Sequence, residues 1–158
     1  MEYLSRAARA LVRLQMEELR ALLETWRQAR RNKLALPPTE DPDYADLESL
    51  LSHVLRSSRG YLNWICEFRG RPAPRIELPQ EDVARHADDF LARLAAEWER
   101  ACAPISVREM DSAEVKPTRW QVPFALESMF EHAVVHPMRH RLQLAELLGG
   151  ERGGPSPD

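Results

Sequence analysis

Of the five histidines in the chain, His132, His136 and His140 fall at four-residue intervals. On a helix, residues four apart share a face, with Cβ atoms about 5–6 Å apart. Two imidazoles so placed can hold one metal ion, because each metal–nitrogen bond is about 2.0–2.1 Å. Two protein ligands make a weak site, so a third must come from elsewhere in the chain. His53 is the natural candidate, because it stands beside Leu50 and Val54 in an apolar stripe. His86 sits among Arg85, Asp88 and Asp89 and reads as part of a solvated face. A single histidine at a core edge is usually a satisfied polar residue. Three at this spacing are harder to explain that way, since each buried imidazole left unpaired costs about 1–3 kcal/mol.

Two familiar metal motifs are excluded. The zinc-protease pattern needs a glutamate directly after its first histidine, and here Glu131 precedes His132. The di-iron signature needs a glutamate three residues before each histidine. Those positions hold Leu50 before His53 and Ala133 before His136. With few carboxylates nearby, the donor set suits one borderline divalent ion, Zn²⁺ or Ni²⁺, better than Mg²⁺ or a di-iron pair.

The elements that must position these residues are helical. The chain has 158 residues, 44% hydrophobic and 30% charged, which is one domain's worth of core. Apolar residues recur at steps of three and four, and prolines break the pattern at Pro37–Pro38, Pro72, Pro74 and Pro117. The periodicity predicts four amphipathic helices, over about 2–30, 44–68, 80–102 and 121–148. The first carries Leu4, Ala8, Leu11, Leu14, Leu22 and Trp26 on one face. The third opens with Glu81 and Asp82 in its first turn, where acidic groups complement the helix dipole. The fourth has Pro123 near its start, a position that lacks an intrahelical partner for its N–H. No alternating strand pattern competes. The expectation is all-α: a four-helix bundle with unequal connecting loops over 1–148, followed by a disordered tail over 149–158.

At this point the chain resembles the DinB/YfiT-like superfamily of bacterial four-helix proteins. The resemblance rests on His53 in DLESLLSHVLRSSRGYLNW and on His136-Pro137-Met138-Arg139-His140-Arg141-Leu142-Gln143, which matches an H-x-x-x-H-R-x-Q motif in the last helix. It covers the chain from the first helix to about Leu148. It implies a bundle holding one divalent ion on His53, His136 and His140, with water or substrate completing the shell and His132 outside it. Characterised relatives include thiol-dependent S-transferases and a mycothiol-dependent isomerase, and others are labelled metal-dependent hydrolases. Pro137 departs from a regular helix: it frees the Ala133 carbonyl and should kink the chain. A kink could re-aim His136 or let His132 take its place. Arg141 and Gln143 could support the ligands from behind or be salt-bridged or solvated instead.

A three-histidine site with an open position is a catalytic arrangement. It could generate a hydroxide from water or hold a low-molecular-weight thiol as thiolate. Three functions follow: a thiol-dependent S-transferase or isomerase, a metal-hydroxide hydrolase, or a non-catalytic metal- or ligand-binding module. A thiol pocket should show polar or cationic groups converging near the metal, and a closed apolar site would favour the binding module. From the free imidazole pKa of about 6.5, metal affinity should fall as pH drops through about 6. Glu127 and Glu131 are the nearest carboxylates in sequence to His136, and both read as helix-surface charge.

The net charge of −3 gives no case for nucleic acid or an anionic membrane. No run approaches the roughly 18 apolar residues of a membrane span. The apolar start is interrupted by Arg6, Arg9 and Arg13, unlike a signal peptide. Cys66 and Cys102 are the only cysteines and lack CxxC spacing, so free thiols in a reducing cytoplasm are expected. The four tryptophans, Trp26, Trp64, Trp98 and Trp120, suggest an apolar face left over for a homodimer, and the substrate would be a small molecule.

Overall fold

The helices begin where short polar side chains can take up the free N–H groups of a first turn. Ser5 accepts from Ala8 N and opens α1, Arg6–Arg31. Asp46 accepts from Ser49 N at 2.7 Å and opens α2, Leu47–Phe68. Asp82 caps α3, Val83–Cys102, from the left-handed region at φ 44°. Ser106 and Glu109 form a reciprocal capping box on the single-turn α4, Val107–Met110. The last helix, α5, runs Leu126–Glu151 with Pro137 inside it. These elements belong to a computed structural model that describes residues 2–79 and 82–151.

α1 and α2 end alike. In each, the second residue past the cap donates back to a carbonyl five residues earlier: Leu34 N to Ala29 O at 3.0 Å, and Arg71 N to Cys66 O at 2.8 Å. The residue between must be left-handed. On α2 that residue is Gly70, φ 65°, and on α1 it is Lys33, φ 55°.

The described residues form five helices and one small sheet. α1 packs on α5 and α3, and α2 packs on α3 and α5. Between them lie Trp26, Trp98, Phe90 and Phe130, each no more than 1% exposed. Burying an aromatic or branched aliphatic side chain of this kind contributes about 1.5–3 kcal/mol. Polar ties cross the interfaces: Gln15 Nε2 donates to Ser58 Oγ at 2.8 Å, and Trp26 Nε1 donates to Leu47 O.

Several sequence expectations change. Leu4 and Leu14 lie in the solvent, 64% and 46% exposed. Ala8, Leu22 and Trp26 are buried as expected and α1 adds Val12, Met16 and Leu19 to that face; Leu4 precedes the helix. Asp82 is the cap of α3 and not part of its first turn, while Glu81 lies outside the described residues. Pro123 does not open the last helix. It begins β2, Pro123–Ala125, which pairs antiparallel with β1, Val115–Pro117. Three-residue strands are too short to display alternation. Pro117 and Pro123 face each other at the end of the ladder, where an absent N–H disturbs little. The last helix passes through Gly149 and Gly150 to Glu151. Each glycine disfavours helix by only about 1 kcal/mol once propagation is under way. The rest of the expected disordered tail, 152–158, lies outside the described residues. No helix among the described residues is long and apolar enough to cross a membrane. Both cysteines are buried free thiols, and burial pushes both thiol pKa values up.

Candidate metal centre

The middle of α2 faces the middle of α5. The donor nitrogens of His53, His136 and His140 all lie within 4.8 Å of one another. Ring centroids are 5.0 Å apart for His53–His136, 4.8 Å for His136–His140 and 5.6 Å for His53–His140. Nitrogens bound to one tetrahedral ion stand about 3.4 Å apart, so small side-chain rotations suffice.

Two of the three rings are oriented from behind. His53 Nδ1–H donates to Asp43 Oδ2 at 2.9 Å, which turns Nε2 toward His136 Nε2 at 3.0 Å and the Tyr44 hydroxyl at 3.3 Å. Asp43 is itself held by Arg56, whose Nη2 donates to Oδ1 at 2.5 Å. That bond, and then the one from His53, holds the Asp43 pKa below the usual carboxylate value. His140 Nδ1–H donates to Gln143 Oε1 at 3.0 Å. Its Nε2 is therefore a bare lone pair, buried with no hydrogen-bond partner, as is His136 Nδ1. An unpaired buried polar atom costs about 1–3 kcal/mol. A cation shared by the three rings would satisfy His140 Nε2. On that observation, and on the all-imidazole donor set, the residues fit a borderline divalent ion.

Burial is the main electrostatic force here. It lowers the His136 pKa to about 2, with the neighbouring His140 and His53 adding to the effect, and lowers that of His140 to about 4, with Arg139 adding. Two of the three rings are thus neutral, and able to bind metal, far below pH 6.

The remaining candidates fall elsewhere. His132 is outside the ligand group and sits in an aromatic setting beside it, with centroids 5.0 Å from Tyr61, 5.2 Å from Trp120, 5.7 Å from Phe124 and 6.0 Å from His136. α5 continues as one helix through Pro137, and it is His136 and His140 that face His53. Gln143 supports His140. Arg141 does not approach the rings and instead grips Glu18 on α1 through two bonds, at 2.8 and 3.3 Å. His86, Glu127 and Glu131 are exposed. Sequence reading passed over Asp43, Tyr44 and Arg56 as site residues. Asp43 and Tyr44 lie in a 3-10 turn over Pro42–Tyr44, ahead of α2. The only signal was an acidic residue ten positions before a histidine, which loop composition hides.

A cavity of about 580 Å³ opens beside His53 and His136. Arg56 and Arg139 line it from the helices, and Arg119 and Trp120 from the turn of the β-hairpin. The hairpin is held to α2 by Trp64 Nε1, which donates to Pro117 O at 2.9 Å, and by Lys116 Nζ, which donates to Phe68 O at 2.6 Å. Comparison of the chain with family models, with curated proteins and with solved structures gave no match.

Proposed function

We propose that the chain is a DinB/YfiT-like four-helix bundle that holds one divalent ion, Zn²⁺ or Ni²⁺, on His53, His136 and His140. It acts as a thiol-dependent S-transferase or isomerase on a small molecule. The observation that carries this reading is the convergence of three imidazoles from two helices, with His140 Nε2 buried and unpartnered. Such an ion supplies Lewis acidity, lowering the pKa of a thiol or water brought to it. The protein's own groups do the rest. Asp43 fixes the His53 tautomer, Gln143 fixes that of His140, and Tyr44 places a hydroxyl at the cavity edge. Neither cysteine reaches the cavity, so the thiol is a co-substrate. Three arginines around an open cavity support an enzyme over a closed binding module. Two copies associate as a homodimer in this reading.

Elemental analysis of purified protein and its variants tests the metal centre. One equivalent of metal is expected in the wild type. It should drop sharply in His53→Ala, His136→Ala and His140→Ala, and persist in His86→Ala and His132→Ala. Full occupancy in His53→Ala would overturn the assignment. Loss in His132→Ala with retention in His136→Ala would move the pair one turn along α5. On metal-loaded protein, consumption of a low-molecular-weight thiol with an electrophile separates a transferase from a hydrolase that cleaves esters without thiol.

A further inference from the structure

Three guanidinium groups, Arg56, Arg119 and Arg139, line the cavity beside the histidines against one carboxylate, Asp43. Asp43 is already engaged by Arg56. That leaves Arg119 and Arg139, which make no ion pair among the described residues. The chain as a whole carries −3, so this positive spot is local and runs against the overall charge. A divalent ion on the histidines would make it more positive still. Uncompensated charge facing a cavity raises the local concentration of ions of opposite sign. Guanidinium forks match the oxygens of a carboxylate or phosphate.

The walls between these charges are flat. Trp120 lies 34° from the plane of His132 at 5.2 Å, and Tyr61 meets the same ring edge-on at 5.0 Å. Trp120 remains 44% exposed although it touches three other rings. A volume of about 580 Å³ is typical of a small-molecule site and too small for a polymer. The two walls come from different elements. Arg139 and His132 ride on α5, while Arg119 and Trp120 ride on the hairpin turn, which is closed by Thr118 N–H donating to Val122 O at 2.9 Å and by Gln121 at φ 62°.

We propose that this cavity binds a small organic oxyanion, a carboxylate or a phosphate, carried on a planar apolar body. Arg139 and Arg119 grip the anion, and the body lies against the aromatic wall that Trp120, Tyr61 and His132 form together. This names the substrate class of the metal site and so builds on that reading. Arg139 follows His136 by three residues, so the two share a face of α5, and both line the cavity with His53; the anion is held next to these histidines while the planar body extends toward the hairpin.

The test uses the full chain, as purified and after dialysis against a chelator, titrated with benzoate, phenylphosphate and neutral benzamide. Tryptophan fluorescence and calorimetry report binding, and metal content is measured in every sample. At least one anion is expected to bind, at least tenfold more tightly than benzamide, and to weaken as salt is added. Arg139→Gln and Arg119→Gln should each weaken it tenfold or more while keeping their metal, and Arg93→Gln, on the exposed side of α3, should change nothing. Preference for benzoate assigns a carboxylate, and preference for phenylphosphate a phosphate. The proposal is overturned if benzamide binds as well as the anions, if both arginine variants keep wild-type affinity, or if neither anion binds at millimolar concentration. Anion binding by protein that never contains metal would sink the metal centre and leave this cavity standing. Metal without anion binding would do the reverse.

Discussion

Asp43 shows how much of a metal site resides in residues that never touch the ion. Its carboxylate sets which nitrogen of His53 carries the proton and where the ring points, and such partners commonly govern metal affinity by 10–100-fold. Asp43→Asn keeps the size of the side chain but weakens its hold on both His53 and Arg56. Equilibrium dialysis should find metal affinity lowered by about one order of magnitude or more, with the helical circular dichroism unchanged. An unaltered affinity would show that packing alone orients His53. Gln143 plays the same part for His140 through a neutral amide, so Gln143→Ala should cost less than Asp43→Asn in the same assay.

At the scale of elements, the ends of α1 and α2 form a matched pair that nature has filled differently. Both use the same two backward hydrogen bonds, and both require a left-handed residue. A side chain in that conformation costs about 1–2 kcal/mol, which glycine avoids. Lys33→Gly should therefore raise stability by up to about 1 kcal/mol, once the greater flexibility of glycine in the unfolded chain is offset. Gly70→Ala should lower it by about 1 kcal/mol; no atom crowds the position, so the loss is conformational. Urea unfolding of the two variants reads both signs. Equal and opposite shifts are not required, but a loss in Lys33→Gly would mean that the lysine side chain contributes something its backbone cost conceals.

For the whole molecule, the buried histidines couple folding to acidity. The folded pKa values of His136 and His140, about 2 and about 4, lie below the free value of 6.5. Between those limits the unfolded chain binds more protons than the folded one. Stability is then complete above about pH 6.5 and falls as pH drops, by up to about 1.4 kcal/mol per pH unit for each group. His140 ceases to contribute further loss near pH 4, and His136 continues below it. Metal-free protein should accordingly show a falling Tm between pH 6.5 and pH 4, and added Zn²⁺ should raise the Tm at pH 7 by binding only the folded state. A flat profile in metal-free protein would mean that the rings are solvated. The proposed homodimer is a second prediction at this scale. Trp26 and Trp98 are internal, while Trp120 faces the cavity, so the apolar face for a homodimer must come from residues such as Val107, Val115 and Val122, each about half exposed. Light scattering at micromolar concentration should give twice 18.2 kDa; the single mass at all concentrations would exclude the dimer.

Helical periodicity, proline breaks and the i, i+4 histidines were legible in the sequence because each is a local property of a chain that repeats every 3.6 residues. The long helices lie near where the apolar pattern placed them, and the four-residue spacing already put His136 and His140 on one face. What periodicity cannot carry is the rotation of one element against another. Leu4 and Leu14 were read as inward and lie outward. The sequence leaves Arg141 open between supporting the histidines and pairing with a charge, and it is the pairing with Glu18 that forms. The hairpin that brings Arg119 and Trp120 to the cavity is too short to show alternation, and its partner groups on α2 are about fifty residues away in sequence. Tertiary packing alone decided that Asp43, from a turn with no periodic signal, would sit behind His53 and that His132 would sit among aromatic rings, outside the ligand group. Those contacts depend on distances between elements, and no local pattern of residue types encodes such a distance.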